Sequence, residues 1–448
     1  MFSVGWKMIK EYEEIIRRAW AKLDKDFMIK LTMELIDTWS PTGRERAVAE
    51  VLGKYLKAEG FEVDIQEIEE ERANVIGIMR GSGDGPSLLL NGHLDTSFTG
   101  IEDEDYPMAG EISPGLKAKA YLQGNAIWGL GAMNMKGPLA TLVAAVCAIR
   151  RAGIGLKGDV IIAGVAGEIE KAPIDALFKK YSGSYYRGSG IGMSYLLTHG
   201  YSADFALTAE PNGTVEYARP GFMFVQLIVK GRVAYGPTKW TGDNAILKMA
   251  KVIQAIEHEF ADAYAEKYAF NLGEEWGVMK PTVNVGAIES GWPYKPGFIP
   301  GICAAYIDMR LVPGLSPLDA LKELSSFLQE FEKKEKISVE IRPFVTKPGT
   351  MTEPNNYFVR SCRTAYEYVA GTSPPKFSFC FGDDTNVTRL FGIPSITWGP
   401  PAYGSAGHAI EGLPGEYINI DDMVTTAKMY VAAIVDICMQ DRSLIVRR

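Results

Sequence analysis

Four histidines occur in the 448 residues: His93, His199, His258 and His408. His93 lies in NGHLDT, at the end of an apolar run and two residues before Asp95. An imidazole there can bind a metal through one nitrogen while a carboxylate fixes the other, or can be a hydrogen-bonded turn histidine. Asn134 stands in the glycine-rich WGLGAMNMKG, just before a helix that begins near Gly137, where it could also serve as a cap. Glu168 ends the strand of AGVAGEIEK and reads as a salt-bridge partner or as a general base of raised pKa. Glu210, in LTAEPN, ends another strand, and His408 follows a further one in SAGHAIEG. Each signal is weak alone. Five polar groups around the strand ends of one sheet, two of them histidines, point to a metal site. His258, in a charged helix, reads as exposed, and His199, just before a strand, as structural.

The positioning elements follow from periodicity. Helical patterns cover 26–36, 45–59 and 137–152. Strands are expected in GFEVDIQEI, ANVIGIMRG, SLLLNGHLD, DVIIAGVAG, ADFALTAEP and FGIPSITWGP. Their alternation predicts an α/β fold with a mixed, largely parallel sheet flanked by helices. The continuous apolar run of SLLLNGH suits a strand buried on both faces. Residues 219–343 have another rhythm, βαββαβ, the ferredoxin-like order, with one long helix over 244–268. The chain therefore divides into a first catalytic segment, 1–218, an inserted domain, 219–343, and a second catalytic segment, 344–448. The stretch from Lys179 to Gly192 reads as an extended loop.

Composition narrows the function. A net charge of −8 and the absence of a basic patch argue against nucleic acid as a partner. No apolar run approaches a membrane span, and the charged 10–25 stretch is a surface helix rather than a signal peptide. Five scattered cysteines form neither a disulfide framework nor a zinc knot. A cytoplasmic protein with no membrane partner is expected.

In order, these motifs resemble the acetylornithine deacetylase, succinyl-diaminopimelate desuccinylase and aminoacylase family of metal-dependent amidohydrolases and exopeptidases. GHLDT is similar to its metal-binding H-x-D, and GLGAMNMKG to its G-x-G-A-x-D-M-K-G signature. AEP at Glu210, DMRLVPG, FGDDTN near Asp384 and the late His408 before EYINIDD complete the match. The resemblance implies a zinc-exopeptidase-like catalytic domain and a lid and dimerisation role for the insert, hence a homodimer. It also implies His93 and Glu210 as ligands of a first metal, Asp95 orienting His93, Glu168 as the base acting on metal-activated water, and His408 as a ligand of a second metal. Asn244 and Arg310 fall at positions associated with a substrate carboxylate, a task for which a guanidinium is suited.

The departures are Asn134 for the bridging Asp, Glu168–Ile169 for a Glu pair, and Tyr235 in GRVAYGP for an oxyanion-supporting His. Two divalent ions about 3.5 Å apart repel by roughly 19 kcal/mol at an effective dielectric near 20. Losing two carboxylates removes what offsets that repulsion, so one divalent ion per chain is expected, zinc or manganese. His93, Glu210 and the Asn134 oxygen would hold it, with His408 if the cavity contracts. A shifted register makes Glu168 a ligand and leaves Gly167 where the base belongs, and Glu170 could replace the lost ligand. Tyr235 could donate to a developing oxyanion or be an exposed aromatic.

The expected activity is hydrolysis of an amide or N-acyl C–N bond in a small, carboxylate-bearing substrate. Alternatives are hydrolytic deamination of an amino-aromatic acid and a non-catalytic binding homologue, which the retention of His93, Asp95, Glu168, Glu210 and His408 disfavours. Trp240, Trp292 and Tyr294 could supply an aromatic wall or pack in the core.

Overall fold

The computed structural model describes residues 9–376, 381–401, 403–404 and 415–445. Two sheets organise it. Strands β1 (Glu62–Glu69), β2 (Arg72–Met79), β3 (Leu88–His93), β4 (Val160–Val165) and β5 (Phe205–Thr208) belong to the first. Strands β6 (Gly221–Lys230), β7 (Val283–Ser290), β8 (Ile302–Leu311) and β9 (Val339–Lys347) form the second, and β10 (Ser395–Thr397) returns to the first. The first sheet has the order β1-β2-β4-β3-β5-β10. Its pairings are antiparallel at β1–β2 and β2–β4, and parallel at β4–β3, β3–β5 and β5–β10. The mixed, largely parallel sheet expected from the sequence is present, and every residue of β3 and β4 is buried.

Helices α1 (Glu13–Trp20), α2 (Lys25–Asp37), α3 (Arg46–Ala58) and α4 (Gly137–Arg151) precede the second sheet. Helices α5 (Ala245–Ala255) and α6 (Pro317–Glu335) belong to that sheet, and α7 (Tyr357–Ala370) and α8 (Ile420–Cys438) follow it. Asp24 caps α2 by accepting from the Phe27 amide, and Pro138 starts α4 where a missing N–H costs nothing. By composition, 132–151 could cross a membrane, yet nearly all of it is enclosed, packed against α2, α8 and β3. Gly92 permits this approach: a Cβ there would lie 2.8 Å from Met135 Cε and 3.1 Å from Leu139 Cβ.

The second sheet has the order β7-β8-β6-β9, antiparallel throughout, the arrangement a βαββαβ unit produces. Side chains alternate along β6: Met223, Val225, Leu227 and Val229 join the core, while Phe224 faces a cavity. The helix expected over 244–268 is interrupted by a π-turn at Ile256–Phe260. Within the stretch read as a loop, Lys180–Tyr181 pairs with Ile174–Asp175 just before it, Ser184–Tyr186 forms a turn, and the helix Ile191–Thr198 begins. That helix and Glu102–Ala109 have almost no amphipathic contrast, so periodicity carried no signal for them.

Gly92→Ala is expected to lower stability by about 1–3 kcal/mol through overpacking against α4. The shift in urea midpoint measures it, and an unchanged midpoint would mean that Met135 and Leu139 move aside freely.

Candidate metal centre

Three parallel strands deliver the central groups. His93 is the last residue of β3 and pairs in register with Val165, the last of β4. Glu168 follows three residues past β4, and Glu210 two residues past β5. The carboxyl edge of a parallel sheet is where such folds present ligands. Asn134 arrives from the turn preceding α4, held by Glu416, which accepts from the Gly131 and Asn134 amides at 3.0 and 3.2 Å.

His93 is fully buried, and its two nitrogens face oxygen. Nδ1 lies 2.9 Å from the Asp95 carbonyl and 3.5 Å from the Asp95 carboxylate, both acceptors. With its proton on Nδ1, a neutral imidazole turns a lone pair at Nε2 toward Asn134 Oδ1 at 3.0 Å, Glu210 Oε1 at 3.7 Å and Glu168 Oε2 at 3.9 Å. Glu210 Oε1 is buried with no hydrogen-bond partner among the described residues. One donor atom each from His93, Glu168 and Glu210 lies within 4.8 Å of the others. A lone pair among acceptors is satisfied by a cation, so the chemistry of the donors fits a divalent ion.

Without a metal ion, the same crowding draws in protons. Burial pushes Glu168 well above the usual carboxylate range despite His93, and raises Glu210 to about 7. Burial opposes the charge on His93, but the Asp95 hydrogen bond and the neighbouring carboxylates of Glu210 and Glu168 carry it well above its ordinary value. Against burial, His93, Thr42 and the Glu168 amide hold Asp95 at about 2. The Asp95 carboxylate accepts from Thr42 Oγ1 at 2.8 Å and from the Glu168 and Ile169 amides at 3.1 and 3.3 Å. It therefore fixes the loop bearing Glu168 as well as sitting beside His93.

The structure brings together His93, Asp95, Asn134, Glu168 and Glu210. Asn134 is no helix cap, because its Oδ1 faces His93. His408 lies outside the described residues. Gly167 has φ +63°, and a Cβ there would fall 2.0 Å from Arg72 Nη2, so Arg72 fills the space of any side chain at 167. Glu170 does not serve the metal site: it makes a two-oxygen ion pair with Arg310, which is thereby not free for a substrate carboxylate. Asn244 caps α5 by accepting from the Ile246 and Leu247 amides. Tyr235 is 58% exposed, with its ring against Phe298. Trp240, Trp292 and Tyr294 are exposed rather than in the core or around the site. His199 closes the helix Ile191–Thr198 ahead of β5, stacked on Tyr195.

Sequence reasoning passed over several contributors. Thr42 carries no chemical signature, Glu416 opens the noted EYINIDD without an assigned role, and only the fold sets them beside Asp95 and Asn134. Asp384, in the noted FGDDTN, is buried, accepts from Asn91 at 3.3 Å, and has Oδ1 without a hydrogen-bond partner among the described residues. Burial raises it to about 7, against the pull of Lys347 and His93.

A buried imidazole opposite two desolvated carboxylates, at the carboxyl edge of a parallel sheet, sets the molecule among the metal-dependent hydrolases. Over residues 89–436 the sequence matches peptidase family M20/M25/M40, and the chain belongs to that family. It is an amidohydrolase or exopeptidase of metal-dependent type. Among curated relatives, N-formyl-4-amino-5-aminomethyl-2-methylpyrimidine deformylase of Bacillus subtilis (strain 168) is 23% identical, covering 93% of this chain and 96% of its own. Acetylornithine deacetylase of Myxococcus xanthus is 24% identical over 86% of this chain and 90% of its own. The solved structure of human carnosine dipeptidase 1 superposes with a TM-score of 0.71 at 14% identity, covering 95% of this chain and 99% of that one.

Metal affinity should follow the protons on these carboxylates. Burial raises Glu210 to about 7 and pushes Glu168 well above the usual carboxylate range, so an entering ion must expel protons. Apparent zinc affinity is expected to fall by about tenfold or more per pH unit below 7. Competition with a chromophoric chelator between about pH 5.5 and 8 measures this, and a flat profile would contradict it.

Proposed function

We propose that this chain hydrolyses an amide or N-acyl C–N bond in a small organic substrate, using one divalent ion held by His93, Glu210 and Asn134 Oδ1. His408 is the further candidate ligand. The carrying observation is His93 Nε2, buried and surrounded by the oxygens of Asn134, Glu210 and Glu168. The relatives support the bond type: removal of a formyl or acetyl group from nitrogen and cleavage of a dipeptide each break an amide. When bound, zinc or manganese supplies Lewis acidity toward the scissile carbonyl and toward water.

The remaining work falls to the chain. Glu168, kept basic by burial, takes a proton from the attacking water and returns it to the leaving nitrogen. Asp95 positions His93 through its carbonyl and Glu168 through the backbone amide. No side chain at 167 can share the base role, since Arg72 occupies that space. A second reading makes Glu168 a metal ligand, favoured by its place within the three-donor cluster.

Glu168→Gln separates the two. As base, its loss is expected to lower kcat by about 10²–10⁴ while zinc stays at one equivalent per chain by elemental analysis. Loss of the zinc would instead make Glu168 a ligand, and two equivalents in the unaltered chain would overturn the single-ion reading.

The proposal includes a homodimer formed through the second sheet's unit, supported by the exposed Trp240, Trp292 and Tyr294 on it. Sedimentation equilibrium of the full chain is expected to give twice the chain mass, and a monomer at micromolar concentration would remove this part.

A further inference from the structure

Arg310 stands where the resemblance implies a group for a substrate carboxylate, and its donors are already engaged. Nη1 and Nη2 donate to the two carboxylate oxygens of Glu170 at 2.7 and 2.6 Å, and Nε donates to Asp308 at 2.9 Å. Glu170 comes from the loop two residues past Glu168, whereas Arg310 and Asp308 come from β8, so the pair ties one sheet to the other. One guanidinium faces two carboxylates, and Asp308 Oδ1 has no hydrogen-bond partner among the described residues. A substrate carboxylate entering here would have to displace Glu170 and lie against Asp308.

A cavity of about 1190 Å³ lies alongside. One wall holds Phe98, three residues past Asp95, and Lys171, the residue after Glu170. The opposite wall holds Phe224, Tyr306 and Phe344 from β6, β8 and β9. Phe224 pairs in register with Asp308, which sets the cavity beside the ion pair. Tyr185 adds another ring, with Lys171 Nζ 4.4 Å from its centroid. Lys171 is the one cation among the described lining residues, against Glu104, Asp105, Glu111 and Glu289. Asp105 is taken up by Thr99 and Gly100, and Glu289 by the Tyr306 hydroxyl at 2.6 Å. What the cavity offers is a set of ring faces within a net negative rim, suited to an aromatic group and hostile to an anion.

The geometry points to this cavity as the leaving-group pocket of the enzyme, taking an amine that carries an aromatic ring and no carboxylate, with Glu170 setting that preference by occupying Arg310. The assignment to a leaving group rests on the hydrolase reading, whereas the binding preference does not. The carboxylate expected from the sequence is thus supplied by the chain itself.

Phenethylamine and phenylalanine differ only by the carboxylate, and their binding to the full chain, zinc-loaded and metal-free, is measured by isothermal titration. Phenethylamine is expected to bind at least tenfold tighter in both forms. Glu170→Gln should shrink that ratio at least fivefold by freeing Arg310. Ile288→Trp, which fills the cavity from β7, should weaken phenethylamine at least tenfold with zinc content unchanged. Equal or tighter binding of phenylalanine overturns the proposal, as does a ratio unmoved in folded Glu170→Gln or an unaffected Ile288→Trp. Should Glu170→Gln not fold, the wild-type ratio and Ile288→Trp decide alone. Turnover of N-acetylphenethylamine and N-acetylphenylalanine is followed in parallel. If neither is cleaved while the binding ratio holds, the hydrolase reading fails and the pocket's selectivity stands.

Discussion

Nε2 of His93 is removed from water and crowded by the oxygens of Asn134, Glu210 and Glu168, and positive charge is what that arrangement calls for, a proton or a metal ion. Isolating Glu168 and Glu210 from solvent without one raises both carboxyls toward neutrality. Their position at the ends of β3, β4 and β5 follows from parallel pairing, which brings strand termini to one edge. Asp95 is the piece that makes this edge rigid. Its carbonyl faces the imidazole, and its carboxylate gathers Thr42 and the amides that carry Glu168 and Ile169. A carboxylate with three such donors stays ionised in the interior, which is why it can orient its neighbours rather than compete with them for a proton.

Charge also explains how the departures from the family pattern fit together. Asn134 presents a neutral oxygen where a bridging carboxylate is expected, and Ile169 presents none. At the neighbouring position a glycine of positive φ lets Arg72 pack close, and that guanidinium is held by Glu45 in a pair excluded from solvent. Removing either partner would leave an uncompensated buried charge, so this arrangement excludes a second glutamate at 167 for a structural reason. Among the described residues, the site therefore carries fewer anions than the family pattern, and the packing at 167 leaves no room to add one there.

The second sheet bears on the first through Glu170 and Arg310. Two short charge-assisted bonds to one carboxylate specify orientation as well as proximity, and they join the loop after Glu168 to β8. The open face of the second sheet thereby turns toward the ends of the catalytic loops, with aromatic rings between them. The same contact positions the sheet and withdraws its arginine from recognising an anion.

Much was legible in the sequence. The apolar runs ending in His93, Glu168 and Glu210 identified buried strands and the polar group at the end of each, because alternation and uninterrupted burial are local properties. The βαββαβ order of the second sheet was visible for the same reason. Elements lacking periodic contrast, Glu102–Ala109 and Ile191–Thr198, were not. Which polar groups meet was decided by tertiary structure alone. Nothing local distinguishes Asn134 as a cap from Asn134 facing an imidazole 41 residues away, or links Thr42 to Asp95. Glu170 and Arg310 are the sharpest case: 140 residues apart, each was free in the sequence to serve a metal or a substrate, and packing of the two sheets gave them to each other. Residue type and spacing determined the chemistry available to this chain; desolvation and long-range pairing, which depend on every neighbour at once, determined where it is used.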